Sequence, residues 1–177
     1  MGSSQPVTDV DADVADGEGI TLVKRRSGGG AVWVHPHESV WIDVTISRTD
    51  PLWLDDISES MVWLGDVFVR ALAPWVEATV RTEEFDSGRD GRTVCFASAS
   101  PGEVFVGKSK LVGISQRRTR EGARMQCVLY RTWNPLSWVH CLSDPALRDR
   151  ILQLRVTELR VAASDIVDAV IAALPAE

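Results

Sequence analysis

From Ser39 to Ser47 the chain reads "SVWIDVTIS": Val40, Ile42, Val44 and Ile46 alternate with Trp41, Asp43 and Thr45. A period of two predicts a strand with one buried face. Upstream, "ITLVKR" and "AVWVH" are shorter β-type runs, and "HPHE" is a turn. Between Ile57 and Leu72 the period changes. Ile57, Met61, Leu64, Phe68 and Leu72 recur at spacings of three or four, which predicts an amphipathic helix. Asp55, Asp56 or Ser58 caps its start, and Pro74 limits its end.

After an "SGRDG" turn the pattern is that of hairpins. "VCFAS", "EVFVG", "KSKLVGISQRR" and "RMQCVLYRTW" are expected strands, separated by turns at "PG" and "TREGA". Strict alternation would put Lys108, Lys110 and Val112 on one face. Two helices close the chain. "SDPALRDRILQL" carries a cap and a first-turn proline, and a second helix is expected from Val156 through Leu159, Ala163, Ile166 and Val170 to Leu174. Residues 1–19 read as an acidic loop with a helical turn near Asp9 to Val14. Grouped strands followed by helices predict an α+β class, with one domain over 1–177.

Composition narrows the function. With 177 residues, 45% hydrophobic content and a net charge of −6, the chain suits a globular protein and not a general nucleic-acid binder. No apolar run is long enough to span a bilayer, and the first residues lack the pattern of a signal peptide. Cys95, Cys127 and Cys141 have no metal-ligand spacing and imply a reduced, cytoplasmic setting; no metal site is expected. The tryptophans are read as core or interface packing.

Two stretches carry candidate chemistry. In "RRSGGGAV" a glycine turn beside Arg25 and Arg26 is suited to holding a phosphate or carboxylate against the main chain. A plain hairpin turn with solvated arginines fits the same residues. In "GKSKLVGISQRR" a lysine is placed either to meet such an anion or to guard an edge strand.

Together "KRRSGGGAV" and "GKSKLVGISQRR", in this order and separated by a helix, resemble the two signature segments of the lipoate–protein ligase and octanoyltransferase family. "GSSQP" at Gly2 to Pro6 resembles the family's G-x-x-Q stretch. The resemblance implies the fold of the biotin/lipoate protein ligase catalytic domain, a mixed, largely antiparallel sheet with helices on one side. It implies activation of lipoate or octanoate by ATP with Mg2+ to an acyl adenylate, then transfer to a lysine of a lipoyl acceptor domain of 2-oxoacid dehydrogenase or glycine cleavage proteins. Carried over by position, Arg25, Ser27, Gly28, Gly29, Gly30, Ala31 and Val32 surround the adenylate and acyl chain. Lys110 contacts carboxylate and phosphate oxygens, Gly113 and Ser115 line the cavity, and Gly102 and Glu103 face the nucleotide.

Some relatives instead use a cysteine nucleophile and no ATP. Cys95 resembles that position, and would need a depressed pKa from Lys110 or Arg25. Val34 stands at the family's histidine position, so His35 is expected on the other side of a strand, solvated or capping; Gln126 and Cys127 stand where many relatives have His-Gly. The family carries a helix and strands before G-x-x-Q; the chain is expected to lack them, which implies an exposed sheet edge, and the alternative to an enzyme is an acyl- or adenylate-binding module without turnover that pairs with a separate accessory chain. The basic "RRTREGAR" hairpin is either solvated or a dock for an acidic acceptor.

Overall fold

A computed structural model describes residues 1–175. Its frame is a five-stranded sheet in the order β1-β5-β4-β3-β2. The strands are β1 (Ser39–Ser47), β2 (Thr79–Val80), β3 (Val104–Val106), β4 (Ser109–Arg118) and β5 (Gly122–Tyr130). Every pairing between them is antiparallel, and parallel contacts occur only as isolated bridges. This is the α+β arrangement expected.

Helix α2 (Ile57–Leu72) forms because its apolar stripe has a partner. Leu64, Val67, Phe68 and Leu72 are fully enclosed against Ile46, Val112, Ile114, Met125, Cys127 and Leu129 of the sheet. Asp56 caps it, its carboxylate accepting from the Glu59 amide at 2.9 Å. Gly65 lets α2 descend onto the turn before β3, where a side chain would reach within 2.3 Å of the Gly102 carbonyl oxygen. Helix α4 (Ala163–Ala173) lies beside α2 and adds Ile166 and Val170 to the same core.

The opposite face carries Trp41, Val128 and Tyr130, covered by Phe96 and Trp133. Beyond them a second apolar cluster joins the N-terminal segment, including α1 (Ala12–Gly17), to α3 (Pro145–Leu152) through Val10, Ala15, Trp138, Leu142, Leu147 and Ile151. Among the described residues no helix is long and apolar enough to cross a membrane.

Several local expectations change. "VCFAS" is a 3-10 turn over Cys95–Ala97, with Val94 alone bridging Ala31. "ITLVKR" and the rest of "AVWVH" form no strand, because neither run meets a neighbouring strand along its length. The final helix starts at Ala163, not Val156. Val156 and Glu158 instead run extended across the end of the sheet, where the Thr157 and Leu159 amides donate to the Lys110 and Tyr130 carbonyls at 2.9 Å each. Those terminal carbonyls need donors, and an extended segment supplies them where a helix would keep its amides to itself. The two-residue strand β2 was not foreseen.

Candidate functional site

One bulge decides where Lys110 points. Val104 pairs with Val112 and Phe105 with Lys110, so Leu111 is the extra residue on β4. Leu111 and Val112 both enter the core beneath α2, and Lys110 emerges on the other face. The expected shared face for Lys108, Lys110 and Val112 is therefore overturned; Lys108 is exposed and Lys110 is 2% exposed.

The Lys110 ammonium donates to the Cys95 carbonyl at 2.9 Å and pairs with the Glu103 carboxylate at 2.7 Å. It also lies 5.4 Å from the centre of the Phe96 ring. Glu103 is anchored in turn by the Ser100 amide at 2.8 Å. Burial pushes the Glu103 carboxyl up from its usual range, and the Lys110 charge opposes that shift. Gly113 sits under Phe96, with its missing Cβ 3.2 Å from that ring and 3.6 Å from a Glu103 oxygen. Gly102 adopts φ +84 and packs on the Met61 backbone of α2.

The glycine stretch lies on the other side of the Cys95 peptide. The Ala31 amide donates to the Thr93 carbonyl at 2.7 Å, and the Cys95 amide donates to the Ala31 carbonyl at 3.0 Å. The fold thus brings Lys110 and the glycine loop to the amide and carbonyl of one residue. Gly29 has φ +91, and a side chain at Gly30 would strike the Thr93 backbone at 2.7 Å. Arg25 curls back over the loop, its guanidinium donating to the Gly28 and Gly30 carbonyls at 2.6 and 2.9 Å and to the Ser27 hydroxyl at 3.0 Å. The amides of Gly28, Gly29 and Gly30 donate to no protein group among the described residues.

Ser27 fastens the loop to the sheet. Its hydroxyl donates to Gln126 Oε1 at 2.7 Å and accepts from the Ser115 hydroxyl at 3.1 Å. Gln5 holds the loop's underside, accepting from the Gly2 amide and donating to the Thr93 carbonyl at 3.0 Å.

Beside the loop opens a cavity of about 700 Å³. Trp33, Trp41, Trp138, Ile20, Leu22 and Leu142 supply much of its wall; Arg25, Ala31 and Val32 line it from the loop. Gln126 and Asp43, opposite each other on neighbouring strands, form its floor with Arg124, whereas Ser115, next to Gln126 in the same row, is not on the cavity surface, where the resemblance placed it. Asp43 pairs with Arg124 and accepts from the Trp41 indole at 3.1 Å. Partial burial pushes the Asp43 carboxyl up, and the bonds from Arg124 and Trp41 bring it below the usual range. Lys110, Glu103, Gly113 and Cys95 are buried and not on the cavity surface.

Three tryptophans read from sequence as packing are thus cavity wall. Trp33 stacks between Trp138 and His35, with ring centres 6.4 and 5.9 Å away. His35 lines the cavity, because the segment is not a strand and alternation does not govern it. Indole spacing along the chain carries no signal of this convergence; it arises from three separate segments.

Cys95 is buried, and that burial raises its thiol above the ordinary range; the charges of Lys110 and Arg25 pull the other way. This is the reverse of the depressed pKa a resting thiolate needs. Among the described residues no three His, Cys, Asp or Glu side chains gather to hold a metal ion.

Comparison with known proteins speaks to the fold and the family. Residues 3–131 match the model of the biotin/lipoate A/B protein ligase family. No curated protein matches the sequence. Among solved structures, lipoate-protein ligase A bound with ATP superposes with a TM-score of 0.73 at 18% identity, covering 98% of this chain and 65% of that one. The bi-partite lipoate protein ligase of Thermoplasma acidophilum, studied with its E2 lipoyl domain, gives 0.75 at 19%, covering 98% and 64%. A T. acidophilum structure with bound lipoic acid gives 0.72 at 18%, covering 98% and 65%. The chain therefore spans a little under two thirds of these relatives' length. Identities this low speak for the fold, and the match over residues 3–131 speaks for descent: the chain belongs to the biotin/lipoate A/B protein ligase family.

Proposed function

We propose that this chain activates lipoate or octanoate with ATP and passes the acyl group to a lysine of a lipoyl acceptor domain. The observation that carries the reading is the convergence of the glycine loop and Lys110 on Cys95. The apolar, tryptophan-walled cavity suits the acyl chain, and the unpaired amides of Gly28 to Gly30 suit a phosphate. Mg2+ would accompany ATP as a counter-ion to its phosphates.

In the first step a carboxylate oxygen attacks the α-phosphorus, and the bond to pyrophosphate breaks. In the second the acceptor's neutral amine attacks the acyl carbon, AMP leaves with the bonding pair, and the amine loses a proton. Both steps shift negative charge between oxygens. The protein's contribution is position and fixed positive charge. Arg25 and Ser27 keep the loop's shape, and Lys110 supplies the cation. Because Glu103 neutralises that cation at rest, an anion reaching Lys110 replaces one counter-ion by another.

A second reading, ATP-independent transfer through a Cys95 thioester, is favoured by one observation: Cys95 lies at the point where the loop and Lys110 meet. Its raised thiol pKa counts against it. Incubation of a lipoyl domain with the protein, ATP, Mg2+ and a set of short acids, followed by mass spectrometry and pyrophosphate measurement, separates the two. Acylation that consumes ATP and survives Cys95→Ser supports the ligase. Acylation without ATP that is lost in Cys95→Ser supports the transferase, and no acylation in any mixture defeats both.

A further inference from the structure

The face of the sheet that floors the cavity continues toward the β4–β5 hairpin. Past the row formed by Ser115, Gln126 and Asp43 comes a row in which Arg117 stands directly opposite Arg124. Alternation places both arginines on the cavity side. Like charges directly opposed across two strands destabilise a sheet. Arg124 has Asp43 as partner, but Arg117 makes no ion pair among the described residues. Arg120 is exposed at the hairpin tip. The chain as a whole carries −6, so this corner is a basic spot on an acidic protein.

The corner is also rigid. Arg118, between them in sequence, turns to the other side and donates to the Leu54, Asp55 and Asp56 carbonyls at 2.6, 2.7 and 3.1 Å. Its guanidinium lies 4.5 Å from the centre of the Trp53 ring. The hairpin is thereby tied to the start of α2, and Arg117, Arg120 and Arg124 are presented from a fixed scaffold beside the cavity.

We infer that Arg117 and Arg120, with Arg124 behind them, are the docking surface for the acceptor, a folded domain that presents carboxylates beside its target lysine. Charge complementarity chooses this occupant: Arg117, without an ion pair among the described residues and directly opposite Arg124 beside the cavity, is relieved by acidic side chains, and its position brings their neighbour to the cavity rim. The inference rests on the proposed acyl transfer for its purpose, but binding tests it independently.

The test uses a recombinant lipoyl domain with acidic residues flanking its acceptor lysine, titrated against the wild-type chain and Arg117→Glu/Arg120→Glu at two salt concentrations. Neither substituted residue lines the cavity or its loop. The expected result is at least a tenfold weaker Kd in the double variant, a shallower salt dependence, and recovery when the acceptor's flanking carboxylates are replaced by lysines. Pyrophosphate release without acceptor stays at the wild-type level. Equal Kd values for wild type and variant, or no binding by wild type, overturn the docking surface. Intact arginine-dependent binding without pyrophosphate release or acyl transfer leaves it standing and removes the enzymatic reading instead.

Discussion

The ammonium of Lys110 and the carboxylate of Glu103 lie 2.7 Å apart, with side chains 1% and 2% exposed. Removing one partner of such a pair strands the other charge away from water. Lys110→Ala is therefore expected to cost about 3–5 kcal/mol of stability, in addition to abolishing acyl transfer. Lys110→Met with Glu103→Gln regains most of that stability in urea denaturation and stays inactive. A double variant that transfers acyl groups at the wild-type rate would remove Lys110 from the chemistry.

The bond from Ser27 to Gln126 ties the glycine loop to the sheet at 2.7 Å. Gln126→Ala unties it at a cost of roughly 1 kcal/mol, the usual worth of one neutral hydrogen bond. Acyl transfer is expected to fall at least tenfold while the melting temperature changes little. Equal turnover in Gln126→Ala would show that the loop keeps its shape through Arg25 alone.

Trp41 stands half-buried on the cavity wall. Trp41→Ala enlarges the acyl space, so KM for octanoate should rise and longer acids should gain relative to it. A panel of straight-chain acids reads this directly; an unchanged preference order would place the acyl chain elsewhere.

Gly102 has φ +84 and its missing Cβ would lie 2.3 Å from the Met61 backbone. Gly102→Ala is strained by its dihedral and blocked by α2, and is expected to lose roughly 1–3 kcal/mol or more. Thermal unfolding of the purified variant measures it, and a melting point equal to wild type contradicts the packing described.

Arg150 grips Asp90 through two bonds, at 2.8 and 2.7 Å, and holds its carboxyl below the usual value of 3.8. A depressed carboxylate contributes stability above its unfolded pKa and loses it as pH falls through the lower folded value. Asp90→Asn should thus melt below wild type at pH 7, with the gap closing as both are acidified below pH 3.8. A gap that stays constant with pH would mean the pair contributes by shape and not by charge.

Elements whose own periodicity is long and regular were legible, although their packing partners are distant in sequence. The stripe from Ile57 to Leu72 marks α2, with Asp56 the one of three candidate caps that the structure uses, and the alternation of Ser39 to Ser47 marks β1. The two signature stretches contain the glycine loop and Lys110. "VCFAS" and Val156 to Leu159 were misjudged for one reason. Their local patterns are compatible with strand and helix, but hydrogen-bond partners at Ala31, Lys110 and Tyr130, distant along the chain, set their conformation.

Periodicity and signature residues by themselves determined the fold class, the main helix, the family resemblance and the two segments of the candidate site, because each is written in neighbouring residues. Only the tertiary structure decided that Leu111 bulges and turns Lys110 onto the site face, that Glu103 is its counter-ion, and that Trp33, Trp41 and Trp138 wall one cavity. Those facts depend on which distant segments share space, and a one-residue slip in strand register is enough to reverse the face on which a side chain emerges.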